Sequence, residues 1–483
     1  MTKKGSPDLY VFLLLYDLFR LFLSYFVSPE LPFSWYNTRM FSKRLLITLI
    51  SGSLLLAGTL IAIQFAKGYR FSRQGILQGT GLLAANSFPN GAQVYVNGKL
   101  STATDNTLNL DPGEYDVEIK KDGFASWKKH VNIEKELVVQ TAATLFPSSP
   151  SLTPLTFTGA QNIVPSPDGQ KVVFYVSSAS IATKNGLYVL ELTDNFLSLQ
   201  KGPKLIAQAA TGFDLTKATL VWSPDSAQLL LSFDGKNILL DPTKENIIAE
   251  LQDITYRLPR LFEDWLAELK KRSATRLTKF PKEMQMIASQ SASFVISPDD
   301  ERVLYTAQAP ATLSNQLVAP VPAASTQTQE RQLTVGGIYV YDRKEDRNFR
   351  VGMNTQIAEN TQLPFPTPQK KPGIVIQAKA KTTTPFPAVG KTSGETLQNF
   401  VKYYAEAYAG SLYWFPDSRH LIGIKENAII IKEYDNTNEI ALYTGPFDGT
   451  FVFPWPNGSK IIFTTNFNQG EGKTVDLYAM SLK

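Results

Sequence analysis

The sequence predicts a mainly β chain: an N-terminal transmembrane helix, a small β-sandwich-like domain, and a β-propeller of about five to seven blades with a helical insertion. Three observations carry this. An uncharged apolar run lies near the N-terminus, a stretch of short strands with Gly- and Pro-marked turns follows it, and a Pro-Asp turn then recurs, each time leading into an apolar strand. The 483 residues, 43% of them hydrophobic, suffice for several domains and a sizeable core. Basic residues (48) and acidic residues (43) are interspersed and the net charge is only +5, so no nucleic-acid partner is indicated. Cysteine is absent, which removes disulfides, thiolate nucleophiles and cysteine-ligated metals together.

In chain order, residues 1–44 form an N-terminal segment and residues 45–66, "LLITLISGSLLLAGTLIAIQFA", a membrane span. As a helix the run covers about 33 Å, against about 30 Å of bilayer hydrocarbon. Lys43 and Arg44 precede it and Lys67, Arg70 and Arg73 follow, so the flanking charges are nearly balanced and leave the orientation open. No small-residue cleavage site closes the run, which favours a retained single-pass anchor. An earlier apolar stretch, 9–27, carries Asp17 and Arg20 at its middle. Three readings stay open for it: a second span, an interfacial helix, or a segment upstream of a later start at Met40.

Residues 79–146 read as a small all-β domain. Asn97-Gly98 in "QVYVNGKL" supplies the two positive-φ positions of a type I′ hairpin turn. Pro112-Gly113 makes another turn, and Tyr115, Val117 and Ile119 then alternate onto one face before Asp122-Gly123 ends the strand. The runs "SFPNGAQVYVNGKL" and "LDPGEYDVEIKKDGFASWKK" resemble a PEGA domain on Pro89, Gly91, Ala92, Pro112, Gly113, Tyr115, Gly123, Phe124 and Trp127. Asn90 stands where the family name has glutamate. The resemblance implies a non-catalytic binding or spacer module of the bacterial envelope, and hence an extracytoplasmic place for the chain beyond the membrane segment.

From 155 to 483 the repeated turn sets the organisation. "SPDG" begins at Ser166, "SPDS" at Ser223, "SPDD" at Ser297 and "FPDS" at Phe415, with a degraded "WPNG" at Trp455. The prolines at 167, 224, 298, 416 and 456 are spaced by 57, 74, 118 and 40 residues. A four-stranded blade takes about 40–50 residues, so the last interval is a bare blade and the others carry insertions, placed at 245–290, 307–333 and 352–400. Five blades are visible. Six or seven stay open, because the longest interval has room for another and strands between 145 and 160 would close the ring. The repeats resemble the TolB-like propeller family, with its Ser-Pro-Asp-Gly signature and WD-like shape. Within the first insertion, Leu258, Leu261, Phe262, Trp265, Leu266 and Leu269 have amphipathic-helix spacing, read as a face packed on the propeller. The Pro-, Ala-, Thr- and Gln-rich segments 307–333 and 361–394 read as flexible loops.

Candidates for chemistry are sparse. His130 and His420 lie far apart in sequence, without a nucleophile elbow or a zincin helix around either. The GKT triplets at 390 and 472 have Pro385 and Phe467 where a phosphate loop needs glycine. Asp168, Asp225, Asp299 and Asp417, each after Pro167, Pro224, Pro298 or Pro416, recur as turn formers whose proline pre-sets φ and whose carboxylate accepts backbone N–H groups. Trp222 and Trp414 precede two of the turns and are read as blade packing rather than a glycan groove. The expectation is a non-catalytic, membrane-anchored envelope scaffold with no cofactor and no metal, presenting its domains to a protein or cell-wall glycan. A propeller enzyme, lactonase- or glycan-hydrolase-like at the channel mouth, is the alternative. A cytoplasmic propeller tethered by a two-span hairpin is a third reading.

Overall fold

The computed structural model describes residues 38–66, 69–71, 77–359 (except 178, 180, 194–201, 210–214 and 323), 385–408 and 412–483 (except 448, 450 and 468–474). The apolar stretch 9–27 lies outside the described residues. The chain divides into two units, Met1–Tyr69 and Arg70–Lys483.

The first unit contains one long helix, α1 (Thr38–Ala66). Its segment Leu46–Phe65 has a mean hydropathy of 2.3 over 20 residues, with none of it buried in the protein. A helix apolar on every side, with Leu54, Leu56 and Leu46 all more than half exposed, suits a hydrocarbon surround rather than water.

The second unit is mainly β, built of many small sheets. At its start, Lys99–Ala103, Gln93–Val96, Gly113–Lys120 and Trp127–Ile133 pair in that order, and a second sheet sets Gly81–Ala85 between Val138–Gln140 and Asn106–Leu110. The hairpin turn expected at Asn97-Gly98 is present, with φ of 49° and 77°. The apolar faces of the two sheets share a core of Leu83, Ala85, Val94, Val117, Ile119, Trp127, Val131 and Ile133, which gives the sandwich its two layers.

Among the described residues, five further antiparallel sheets of three or four strands come after it, besides a two-stranded one that pairs Ala311–Thr312 with Gln332–Leu333. The first is Gln161–Pro165, Lys171–Val176, Gly186–Glu191 and Lys204–Gln208; the second, with three strands, is Thr219–Trp222, Leu229–Phe233 and Lys236–Leu240. The third is Ser293–Ile296, Arg302–Thr306, Gly337–Asp342 and Arg347–Met353; the fourth is Tyr413–Trp414, His420–Lys425, Ala428–Glu433 and Ile440–Tyr443. In the fifth, Val452–Pro454, Lys460–Thr465 and Asp476–Ser481 are joined at the outer edge by Leu152–Pro154, from the other end of the region. The second sheet lacks an outer strand, and its edge is met instead by Ile254 N–H on the Asn237 carbonyl (2.7 Å) and by the Asp253 carboxylate on Asn237 N–H (3.2 Å).

Most strands are apolar on both faces, because each sheet is covered twice. Val173, Tyr175 and Leu187 of the first sheet pack on Trp222, Leu229 and Leu231 of the second, while Val172 and Phe174 pack on Phe453, Ile462 and Leu477 of the fifth. The fifth meets the fourth through Ile461, Phe463 and Met480 on Ile422, Ile429 and Ile431, and the fourth meets the third through Trp414 and Leu421 on Leu304, Val340 and Val351. Between the second and third sheets stand helices. Helix α2 (Leu258–Leu277) and helix α4 (Ser393–Tyr408) bury Phe262, Trp265, Leu269, Leu397, Phe400 and Tyr404 against Val221 and Leu230 of the second sheet. The end of α2 and helix α3 (Lys282–Ser289) place Leu277, Phe280, Met284 and Ala288 on Val303, Tyr305 and Tyr339 of the third. The amphipathic stripe of α2 thus packs inward on the β body.

Candidate functional site

The repeated turns are built alike down to single atoms. In each, the fourth residue donates its N–H to the carbonyl of the first: Gly169 to Ser166 (2.8 Å), Ser226 to Ser223 (2.9 Å), Asp300 to Ser297 (2.9 Å), Ser418 to Phe415 (3.0 Å) and Gly458 to Trp455 (2.8 Å). The third residue's side chain then accepts the N–H two positions on: Gln170 on Asp168 (3.0 Å), Ala227 on Asp225 (3.1 Å), Glu301 on Asp299 (3.0 Å), Arg419 on Asp417 (2.9 Å) and Ser459 on Asn457 (2.9 Å). Ser166, Ser223 and Ser297 each donate a hydroxyl to the Asp of their own turn, at 2.6, 2.5 and 2.6 Å. The Ser223 bond is the leading influence holding the Asp225 carboxyl below its usual range.

Where Phe415 replaces that serine, His420 takes its place. Its Nδ1 lies 2.6 Å from Asp417 Oδ2 and its backbone N–H donates to Asp417 Oδ1 at 3.0 Å. The imidazole, buried in the fourth sheet, also meets Phe146 edge-on at 5.2 Å. Burial pushes the Asp417 carboxyl up, but His420 and the turn N–H groups outweigh it and the net shift is downward.

Every fourth turn position is left-handed, with φ of 71° (Gly169), 60° (Ser226), 60° (Asp300), 62° (Ser418) and 67° (Gly458). A side chain there costs about 1 kcal/mol or more, and the three non-glycine residues all make contacts in return. Ser226 Oγ accepts Asp168 N–H from the first sheet (3.1 Å), and Ser418 Oγ accepts Asp299 N–H from the third (3.0 Å). Asp300 faces the end of helix α2 instead, where Arg276 Nε reaches its carboxylate at 2.6 Å and Lys279 Nζ, just past the helix, at 2.5 Å. Arg272 of the same helix donates to the Pro224 carbonyl of the second sheet (2.9 Å). Trp222 and Trp414 are buried, and their indole N–H groups reach the preceding sheet at the Val164 carbonyl (3.1 Å) and the Val295 carbonyl (3.0 Å). The turn residues therefore join neighbouring layers, and among the described residues the repeated aspartates form no group able to hold a metal ion.

What the structure does bring together is a charged cluster where the small β domain meets the fourth sheet. Trp127 Nε1 donates to Glu433, and Lys129 Nζ lies 2.6 Å from both Glu433 Oε2 and Asp435 Oδ2. Asn438 adds an amide bond to Glu433 (3.1 Å) and accepts Lys128 N–H (2.8 Å). Burial pulls the Lys129 ammonium down, but the two carboxylates overcome it and hold it above its ordinary value; burial likewise raises Glu433, and Lys129 reverses the effect. In the neighbouring third sheet, Arg302 Nε lies 2.7 Å from Asp342 Oδ2, its guanidinium sits 4.1 Å over the Tyr434 ring, and burial raises the Glu345 carboxyl. Sequence reasoning did not find this cluster, since residues 129 and 433 carry no shared motif. His130, half exposed, bonds Asp116 (2.9 Å) at the surface of the small domain.

Of the motif residues in the small domain, Ala92 and Trp127 are core, Gly91 and Gly123 take left-handed φ of 70° and 81°, and Tyr115 OH donates to the Asp111 carbonyl (2.9 Å) to close the Pro112-Gly113 turn. Pro89 lies beside the Ser87 hydroxyl, which donates to its carbonyl. Residues 80–149 match the PEGA domain. No curated protein matches the chain. Solved structures similar to it include oligogalacturonate lyase from Vibrio parahaemolyticus, at 10% identity over 70% of this chain and 94% of that one with a TM-score of 0.27. TolB from Acinetobacter baumannii is similar at 11% identity over 77% of this chain and 60% of that one, with a TM-score of 0.19.

Proposed function

We propose that the chain is a non-catalytic, single-pass membrane protein of the cell envelope. Its PEGA domain and a propeller of five sheets form a binding scaffold for a protein or cell-wall glycan on the extracytoplasmic side. The helical layer α2–α4 takes the place of a sixth blade between the second and third sheets. The face-to-face packing of neighbouring sheets and the outer strand contributed by Leu152–Pro154 support a closed ring.

The observation that carries the reading is the use of the repeated carboxylates. Asp168, Asp225, Asp299 and Asp417 each accept their own turn's N–H groups, so the features that recur serve the frame and recognition is left to what differs between the copies. The span Leu46–Phe65 supports anchoring, and the PEGA match supports an envelope location.

The test uses the purified full chain in detergent, incubated with insoluble cell-wall glycan and with a panel of esters, glycosides and peptides. Retention on the glycan, or on a defined envelope protein, without turnover is expected; turnover at enzyme-like rates would refute the non-catalytic reading and favour a propeller enzyme.

A further inference from the structure

We infer that the PEGA domain and the β sheets beyond it act as one rigid body, locked by the buried Lys129–Glu433–Asp435 cluster, so that the domain is a fixed arm and not a spacer. Four contacts converge on this.

The first is the lock itself. The side chains of Lys129, Glu433 and Asp435 are only 16%, 10% and 0% exposed, with Lys129 Nζ 2.6 Å from both acidic partners and the Trp127 indole donating to the same Glu433. A lone charge in such a place would carry the desolvation cost uncompensated, so each domain buries the charges that the other one neutralises.

The second is the connection between the domains, which is not a free tether. Phe146 is buried among Tyr413, Phe415 and Ile422 of the fourth sheet, while its carbonyl accepts Ala125 N–H (2.8 Å) and Ser148 N–H reaches back to the Gly123 carbonyl (2.9 Å) within the PEGA domain. One short segment is thus embedded in both partners.

The third and fourth engage the PEGA edge strand Trp127–Ile133. Along its open edge Asn438 accepts Lys128 N–H (2.8 Å), and Thr326 and Gln327, from the segment between the second and third strands of the third sheet, donate to the His130 carbonyl at 2.9 and 2.7 Å. The edge is occupied by the chain's own side chains, which also closes it to strand addition by another protein. None of this depends on whether the sheets bind or catalyse.

The experiment exploits the absence of cysteine. Spin labels on Leu100→Cys in the PEGA domain and Ile247→Cys beside the second sheet, both exposed positions, report the distance between the domains in the full chain in detergent micelles. A single distribution no wider than the labels' own rotamers is expected for the otherwise unaltered chain. Lys129→Glu should broaden it, and the exchange Lys129→Glu with Glu433→Lys should narrow it again. If Lys129→Glu does not fold, Lys129→Met provides the same readout. A broad distribution in the unaltered chain would overturn the rigid body, and a narrow one in both Lys129 variants would overturn the cluster as its lock.

Discussion

Ser226 shows how closely a single residue's conformation is tied to its neighbour across the sheets. Its backbone is left-handed, a state glycine adopts at no steric cost, while its hydroxyl accepts the Asp168 N–H. Ser226→Ala keeps the strain and loses the bond, and is expected to destabilise by about 1–2 kcal/mol; Ser226→Gly loses the bond but relieves the strain, and should cost less. Urea unfolding of the two variants side by side checks the order. The charged cluster gives a pH dependence of defined sign. The Glu433 carboxyl, held below 4.5, contributes stability that is present above that value and is lost as pH falls through its lower folded value. Lys129, held above 10.5, contributes in full below 10.5 and loses it as pH rises through its higher folded value. The melting-temperature gap between the unaltered chain and Lys129→Met is therefore expected to be widest between about pH 5 and 10 and to shrink on both sides. The turn aspartates were legible from sequence because their partners lie within a few residues. Lys129 and Glu433 were not, because nothing local marks two charges 304 positions apart as neighbours.

Among the elements, the strands announced themselves and the helices did so unevenly. Each apolar strand after a Pro-Asp turn is present, and further strands follow them at Gly186–Glu191, Lys236–Leu240, Gly337–Asp342 and Ala428–Glu433. Helix α2 was visible from its stripe. Helix α4 was missed because it follows a low-complexity stretch, although the signal was there: Thr392 accepts Glu395 N–H at 3.2 Å, Glu395 reaches back to Lys391 N–H at 2.6 Å, and Leu397, Phe400 and Tyr404 form the buried face. The segment 307–333, expected to be a flexible loop, is tied down instead. Glu330 N–H donates to the Asn348 carbonyl (2.7 Å), Asn348 Nδ2 returns to the Glu330 carbonyl (2.6 Å), and Leu317 N–H meets Asp346 (3.0 Å), so composition misled where backbone partners decide. Phe400 stacks on Phe262 (5.2 Å) and sits edge-on to Trp265 (6.1 Å), holding the two helices together. Phe400→Ala is expected to cost about 3–5 kcal/mol, read as a lowered urea midpoint together with altered Trp265 fluorescence.

For the whole molecule, the first prediction concerns topology. Protease added to intact cells should cleave the region beyond residue 70 if the anchor presents it outside; complete protection, lost only when the membrane is opened, would place it in the cytoplasm. The outer strand of the fifth sheet carries a different consequence. Leu152–Pro154 pairs with Asp476–Ser481, and Thr156 bonds Asp476 across 320 positions of chain, so these partners meet only at long range. During synthesis at about 5–20 residues per second, the early strand therefore waits many seconds with an apolar face and an unpaired edge before its partner emerges. That interval is when a chaperone has most to protect. A chain interrupted before residue 476 would leave the edge permanently open and should be the form most rapidly degraded.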